Sequence, residues 1–189
     1  MGKLRNDSGQ GLTELLIGMV LLAIAVAALL AVLTSSAVSL QRSSHRGTAL
    51  TLANKQLELY RGITWAKIGL YSSAIPTPTK TCVTYSPSSD DPYLYGYCTD
   101  SSLPQATGQT VAASCTSTAP ECLPEQTVTA ASSPDHYDYR VDTYISTTTP
   151  TNGLAVKQVF VVVRDNRLSG KPILARAAST FNQSQIATN

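Results

Sequence analysis

The hydrophobic pattern of this chain changes its period twice, and each change marks a different kind of element. Residues 15–33 are nineteen consecutive apolar residues without a single charge, dominated by leucine, alanine, valine and isoleucine. At the helical rise they extend roughly 28 Å, close to the hydrocarbon thickness of a bilayer, so the run predicts a membrane-spanning helix. Helical spacing then continues in a second, amphipathic form. From residue 38 to 60 there is no proline, and Gly47 is the one glycine. Ala49, Leu52, Gln56, Leu59 and Ile63 line one stripe, and Leu50, Ala53, Leu57 and Tyr60 the stripe beside it. Lys55, Glu58 and Arg61 fall on the polar flank, with Lys55 and Glu58 three residues apart, and Gly62 is a stop signal. The pattern predicts one helix over residues 11–61, roughly 75 Å long. Its second half has an apolar face that must lie on a partner surface.

Beyond Tyr71 the helical period is lost. Residues 72–134 are rich in serine, threonine and proline, which predicts loops and short strands rather than helices. Regular patterning returns in the last third. Residues 137–146 alternate in places through Tyr139, Val141 and Tyr144, and residues 155–163 hold the densest run of valines. Residues 173–181 supply a third strand. Asn152-Gly153 and residues 165–170 are the turn signals between them. Three strands joined by short connections predict an antiparallel meander, covered on one face by the amphipathic helix, with a polar tail from Asn182. The fold class is therefore α+β: a long N-terminal helix packed on a small antiparallel sheet, with disulfide-closed loops.

All four cysteines fall in the loop-rich stretch. An even number in an extracytoplasmic domain reads as disulfides, and three connectivities are open. Sequential pairing, Cys82 with Cys98 and Cys115 with Cys122, closes the shortest loops and is preferred. Zinc fits poorly, since no two cysteines are spaced Cys-x-x-Cys and no histidine lies among them. Net charge is +2 and charged residues make up only 14% of the chain, with no basic stretch interleaved with aromatics, so nucleic-acid binding is not expected. Nothing matches a nucleophile elbow or a phosphate loop, and neither catalysis nor a metal or cofactor is expected. His45 follows the membrane segment, where a solvated or headgroup-facing position is expected. His136, in Asp135-His136-Tyr137-Asp138, is expected in an exposed polar turn. Asp90-Asp91 lacks the spaced carboxylates of a calcium loop.

The unusual residue is the carboxylate at the head of the apolar run. Glu14 stands between Thr13 and Leu15, and an acidic group at that depth marks a function with a specific partner. With the short basic leader of residues 1–9 ending in Gly9, and Glu14 the fifth residue after that glycine, the N-terminus resembles a type IV prepilin. The resemblance covers residues 1–62; beyond them only the outline fits. In that family a membrane-bound prepilin peptidase cuts after the glycine and methylates the new terminus. Carried over, the cut falls between Gly9 and Gln10, Gln10 is the N-methylated residue, and Glu14 is the assembly residue. Family members more often begin with phenylalanine or methionine, and Gln10 departs from that.

The resemblance implies a leader over 1–9, a membrane and filament-core helix over 10–36, and its amphipathic half over 37–62. An extracytoplasmic domain follows over 63–189, loop-rich to 134 and stranded over 135–182. It implies as partners other pilin subunits, the peptidase, an inner-membrane assembly platform and, before assembly, the lipid bilayer. Residues 49–61 are similar to minor pilins of the PilV type, which favours a minor pilin, a single-pass membrane protein that reaches the cell surface in a pilus. Type II secretion and competence pseudopilins share the leader motif. Two other readings treat Glu14 differently. A cleaved secretory signal would have a shorter apolar core. An uncleaved anchor holding an adhesin or binding module would make Glu14 an interfacial flanking residue.

Overall fold

The computed structural model describes residues 10–77, 91–99, 103–104, 108–151 and 153–183. Helix α1 runs over Gln10–Arg61 without interruption. It ends where the Gly62 N–H bonds to the Glu58 and Leu59 carbonyls, 3.1 and 3.2 Å away. The chain divides into two compact units, one ending at Ser43 and one beginning at Ser44. In the second unit, α1 from Ser44 onward lies on an antiparallel sheet of four strands in the order β1 (Glu125–Val128), β2 (Tyr139–Thr148), β3 (Val156–Asp165) and β4 (Ile173–Asn182).

The meander has one more strand than the sequence pattern predicts. β1 is four residues long, too short and polar for alternation to reveal, yet it pairs Glu125 with Asp142 and Val128 with Tyr139. Past it, the Gln109 side chain and the Thr110 N–H continue the ladder. Gln109 Oε1 accepts from the Ile145 N–H at 2.7 Å, and Thr110 N–H donates to Ile145 O at 2.7 Å. The β3–β4 turn closes with Asp165 N–H on Pro172 O, and Gly170 there has φ 76°, a conformation that favours glycine. Of the Asn152-Gly153 turn, Asn152 lies outside the described residues, while the Gly153 N–H bonds to Pro150 O.

Odd-numbered residues of β2 and β3 face α1. Tyr139, Val141, Ile145, Val159, Val161 and Val163 pack with Ala49, Ala53, Leu57 and Tyr60 of the helix. The buried stripe is narrower than the expected pair of stripes: Leu50 and Leu59 are exposed. Alanines at 49 and 53 bring the helix backbone close to the sheet, and the large side chains that turn away cannot follow them in. Two polar side chains extend this seam. Gln56 Nε2 donates to Pro120 O at 3.1 Å, and the Tyr60 hydroxyl donates to Glu121 O at 2.5 Å. From β3, the Lys157 ammonium donates to the Trp65 and Ile68 carbonyls at 2.8 and 2.6 Å and lies 4.1 Å from the Trp65 ring centre. It is 5% exposed, and burial pushes its pKa down.

The even-numbered face is covered as well, a correction to the sheet expected to be covered on one side only. A short helix, α2 (Pro92–Thr99), stands in the stretch expected to hold no helix. Pro92 opens it, and Asp91 Oδ1 accepts the Tyr93 N–H at 2.9 Å as a cap. Tyr93 and Tyr144 stack with centroids 4.3 Å apart, and Leu94, Leu103 and Val162 complete a second core. The hydroxyls are reciprocal: Tyr144 donates to Tyr93 O, and Tyr93 donates to Thr143 O. β2 is consequently buried on both faces over its first seven residues.

Candidate functional site: an apolar helix headed by one carboxylate

Gln10 opens α1, and Glu14 follows one turn later with an exposed side chain; Gly9 lies outside the described residues. Every side chain from Thr13 to Ser44 is exposed, including Leu22 at 66% and Leu40 at 72%. The hydroxyls along the way turn back onto the helix. Thr34 Oγ1 donates to Ala31 O at 3.0 Å and Ser36 Oγ donates to Val32 O at 2.8 Å. The uncharged surface thus extends beyond Leu33 without loose donors at those two positions. Among the described residues α1 is the one helix long and apolar enough to cross a membrane. A helix that is apolar all round is unstable in water, and lipid or other helices must cover it.

His45 does not take the solvated position expected of it. Its Nδ1 lies 2.8 Å from Asp135 Oδ2, and its ring packs on Tyr137 with centroids 4.0 Å apart. The Tyr139 hydroxyl donates to the same Asp135 oxygen, and Ser133 Oγ donates to the other at 2.5 Å. Burial pushes the Asp135 carboxyl up, but hydrogen bonds from Ser133, Tyr139, His45 and Thr48 outweigh it and hold it well below the usual range. His45 precedes Ala49 by four residues, so helical spacing does put it on the buried stripe. The signal was in the sequence. His136 is exposed in its turn with φ 53°, its Nδ1 3.3 Å from Ala130 O.

Cys115 and Cys122 are bonded to each other, with Cα atoms 5.3 Å apart. The loop they close presents the Pro120 and Glu121 carbonyls to α1, and the Tyr71 N–H donates to Cys122 O at 2.8 Å. Cys98, in α2, is also disulfide-bonded; Cys82 lies outside the described residues.

A cluster of charges under α2 is the feature that sequence reading missed. Asp142, fully buried, holds Arg140 Nε at 2.8 Å and Arg164 Nε at 2.7 Å on its two oxygens. Arg140 Nη2 also meets Asp91 Oδ1 at 2.6 Å and Glu125 Oε1 at 2.9 Å. By strand alternation these charges would face water; the second layer seals them in. Burial pushes the Glu125 carboxyl up to about 7; Arg140 opposes this and Asp91 and Asp142 add to it. Among the described residues no group of three or more His, Cys, Asp and Glu is arranged to hold a metal.

Comparison with family models, with curated proteins and with solved structures finds no match to this chain.

Proposed function

We propose that this chain is a prepilin-like structural subunit, assembled into a filament through α1 after removal of residues 1–9. The observation that carries the reading is the exposed, uncharged wall of α1 with Glu14 at its head, continuous with a half that packs on the sheet. Lipid covers such a helix before assembly and the helices of other copies cover it afterwards, so one surface serves both states. The finer assignment, a minor pilin rather than a pseudopilin, rests on the similarity of residues 49–61 and on the disulfide-closed loops. Partners on this reading are the prepilin peptidase, an inner-membrane assembly platform and other pilin subunits.

Processing tests it. A glycine at position 9 fits a crowded peptidase site where a side chain would clash. Intact-mass analysis of membrane-extracted protein from cells with an active prepilin peptidase is expected to show a chain beginning at methylated Gln10. Gly9→Val is expected to leave the full-length form in the membrane. Retention of Met1 in the wild-type protein would overturn the proposal in favour of an uncleaved anchor.

A further inference from the structure

Five charged groups meet where α2 covers the sheet. Arg140 and Arg164 bring two positive charges; Asp91, Asp142 and Glu125 bring three carboxyls. Arg164 is 3% exposed, Asp142 0% and Arg140 9%, while the Asp91 and Glu125 side chains stand at the rim, 35% and 29% exposed. Asp91 and Glu125 both bear on Arg140 Nη2, so two carboxylates repel each other across one nitrogen, and one proton relieves that repulsion. Of that pair the proton falls on Glu125, whose carboxyl burial pushes upward and Asp91 raises further. Asp91 is also the residue that caps α2. Glu125 Oε1 is buried beside Arg140 without an aligned N–H to accept, as a neutral carboxyl there tolerates better than an anion.

We propose that the Asp91–Glu125 pair on Arg140 is a proton-dependent latch: a proton on Glu125 seats α2 on the sheet, and its loss sets two carboxylates against each other and unseats the N-terminal turn of α2. The latch joins α2 to β1 and β2 and does not depend on how α1 is used. Among the described residues, the other titratable groups facing it are Tyr93 and Tyr144. Burial pushes both phenols upward, so they stay neutral across the working range. The sign follows from Glu125. Its carboxyl is raised from 4.5 to about 7 in the folded chain, so the stabilisation is complete below 4.5 and is lost as pH rises through 7. Opening uncovers the apolar side chains of Tyr144 and Val162 beneath α2.

The test is hydrogen exchange on the full-length chain in detergent micelles at pH 5.5 and 8.5, corrected for intrinsic rates. Protection of amides in residues 93–99 is expected to fall roughly tenfold in the wild type as pH rises. Protection over residues 159–163 of β3 is expected to stay constant. In Glu125→Gln, which cannot ionise, α2 protection is expected to be high and equal at both values. Equal protection of α2 in the wild type, or the same loss in Glu125→Gln, would overturn the latch. Carbon-13 NMR of the wild-type Glu125 carboxyl is the independent check: titration near 4.5 also overturns it.

Discussion

His45 Nδ1 on α1 and Asp135 Oδ2 before β2, ninety residues apart in the chain, meet at 2.8 Å. The pair sits where the apolar length of α1 gives way to the part packed on the sheet, and it is roofed by Tyr137 and Tyr139. Because Asp135 accepts from groups on both elements, it ties the entry of the helix into the globular unit to the turn that starts β2.

That tie has a pH signature. A carboxyl held below its ordinary value stabilises the fold above the unfolded pKa and loses that contribution as pH falls through the folded one. Melting temperature of the full-length wild type is expected to drop on acidification below about pH 4. Asp135→Asn is expected to be less stable at neutral pH by about 1–3 kcal/mol, since it weakens hydrogen bonds to a largely buried charge. Its acid limb should be flatter. Identical pH profiles for the two proteins would show that Asp135 carries no such load.

Gly96 sets how closely α2 approaches the sheet. A Cβ there would stand 2.5 Å from Tyr144 Oη and 2.7 Å from Arg164 Nη2, both belonging to well-packed side chains. Gly96→Ala gains helix propensity worth up to about 1 kcal/mol, but the overlap is expected to dominate at about 1–3 kcal/mol. Thermal melting should therefore show a net loss of stability, with α2 amides exchanging faster and β3 amides little changed. A stabilised Gly96→Ala protein would mean that α2 does not pack this tightly.

Glu14 is expected to govern assembly rather than folding. On the proposed reading its carboxylate pairs with the amino terminus of Gln10 on a neighbouring copy, one helical turn from its own Gln10. An unpaired carboxylate within a membrane costs up to several kcal/mol depending on depth, and docking would offset that cost. Removing one partner of a low-dielectric pair is more harmful than losing a surface pair worth about 0–1 kcal/mol. Glu14→Ala is expected to leave cleavage, membrane insertion and disulfides intact and to abolish recovery in sheared filaments. Glu14→Asp should be partly defective. Wild-type incorporation of Glu14→Ala would end the pairing idea.

By itself the sequence determined the elements whose signals are local and long. Nineteen apolar residues without a charge can only be a helix needing cover, and the valine-rich run over 155–163 and the run over 173–181 match β3 and β4 to within two residues at each end. Helical spacing also contained the burial of His45, since residues 45, 49 and 53 share a face, though not the partner it would meet. What tertiary structure alone decided depends on a second layer. Period-two alternation says which residues share a face of β2, yet it assigns Arg140 and Asp142 to water because it cannot see what covers that face. The cover is α2, eight residues in a stretch dense with turn formers, whose local propensity is weak and whose stability comes from the Tyr93–Tyr144 stack and the Asp91 cap. β1 is a similar case: four residues become a strand because β2 offers them an edge. Short elements take their structure from the surfaces they meet, and those surfaces are made by residues far away in the chain.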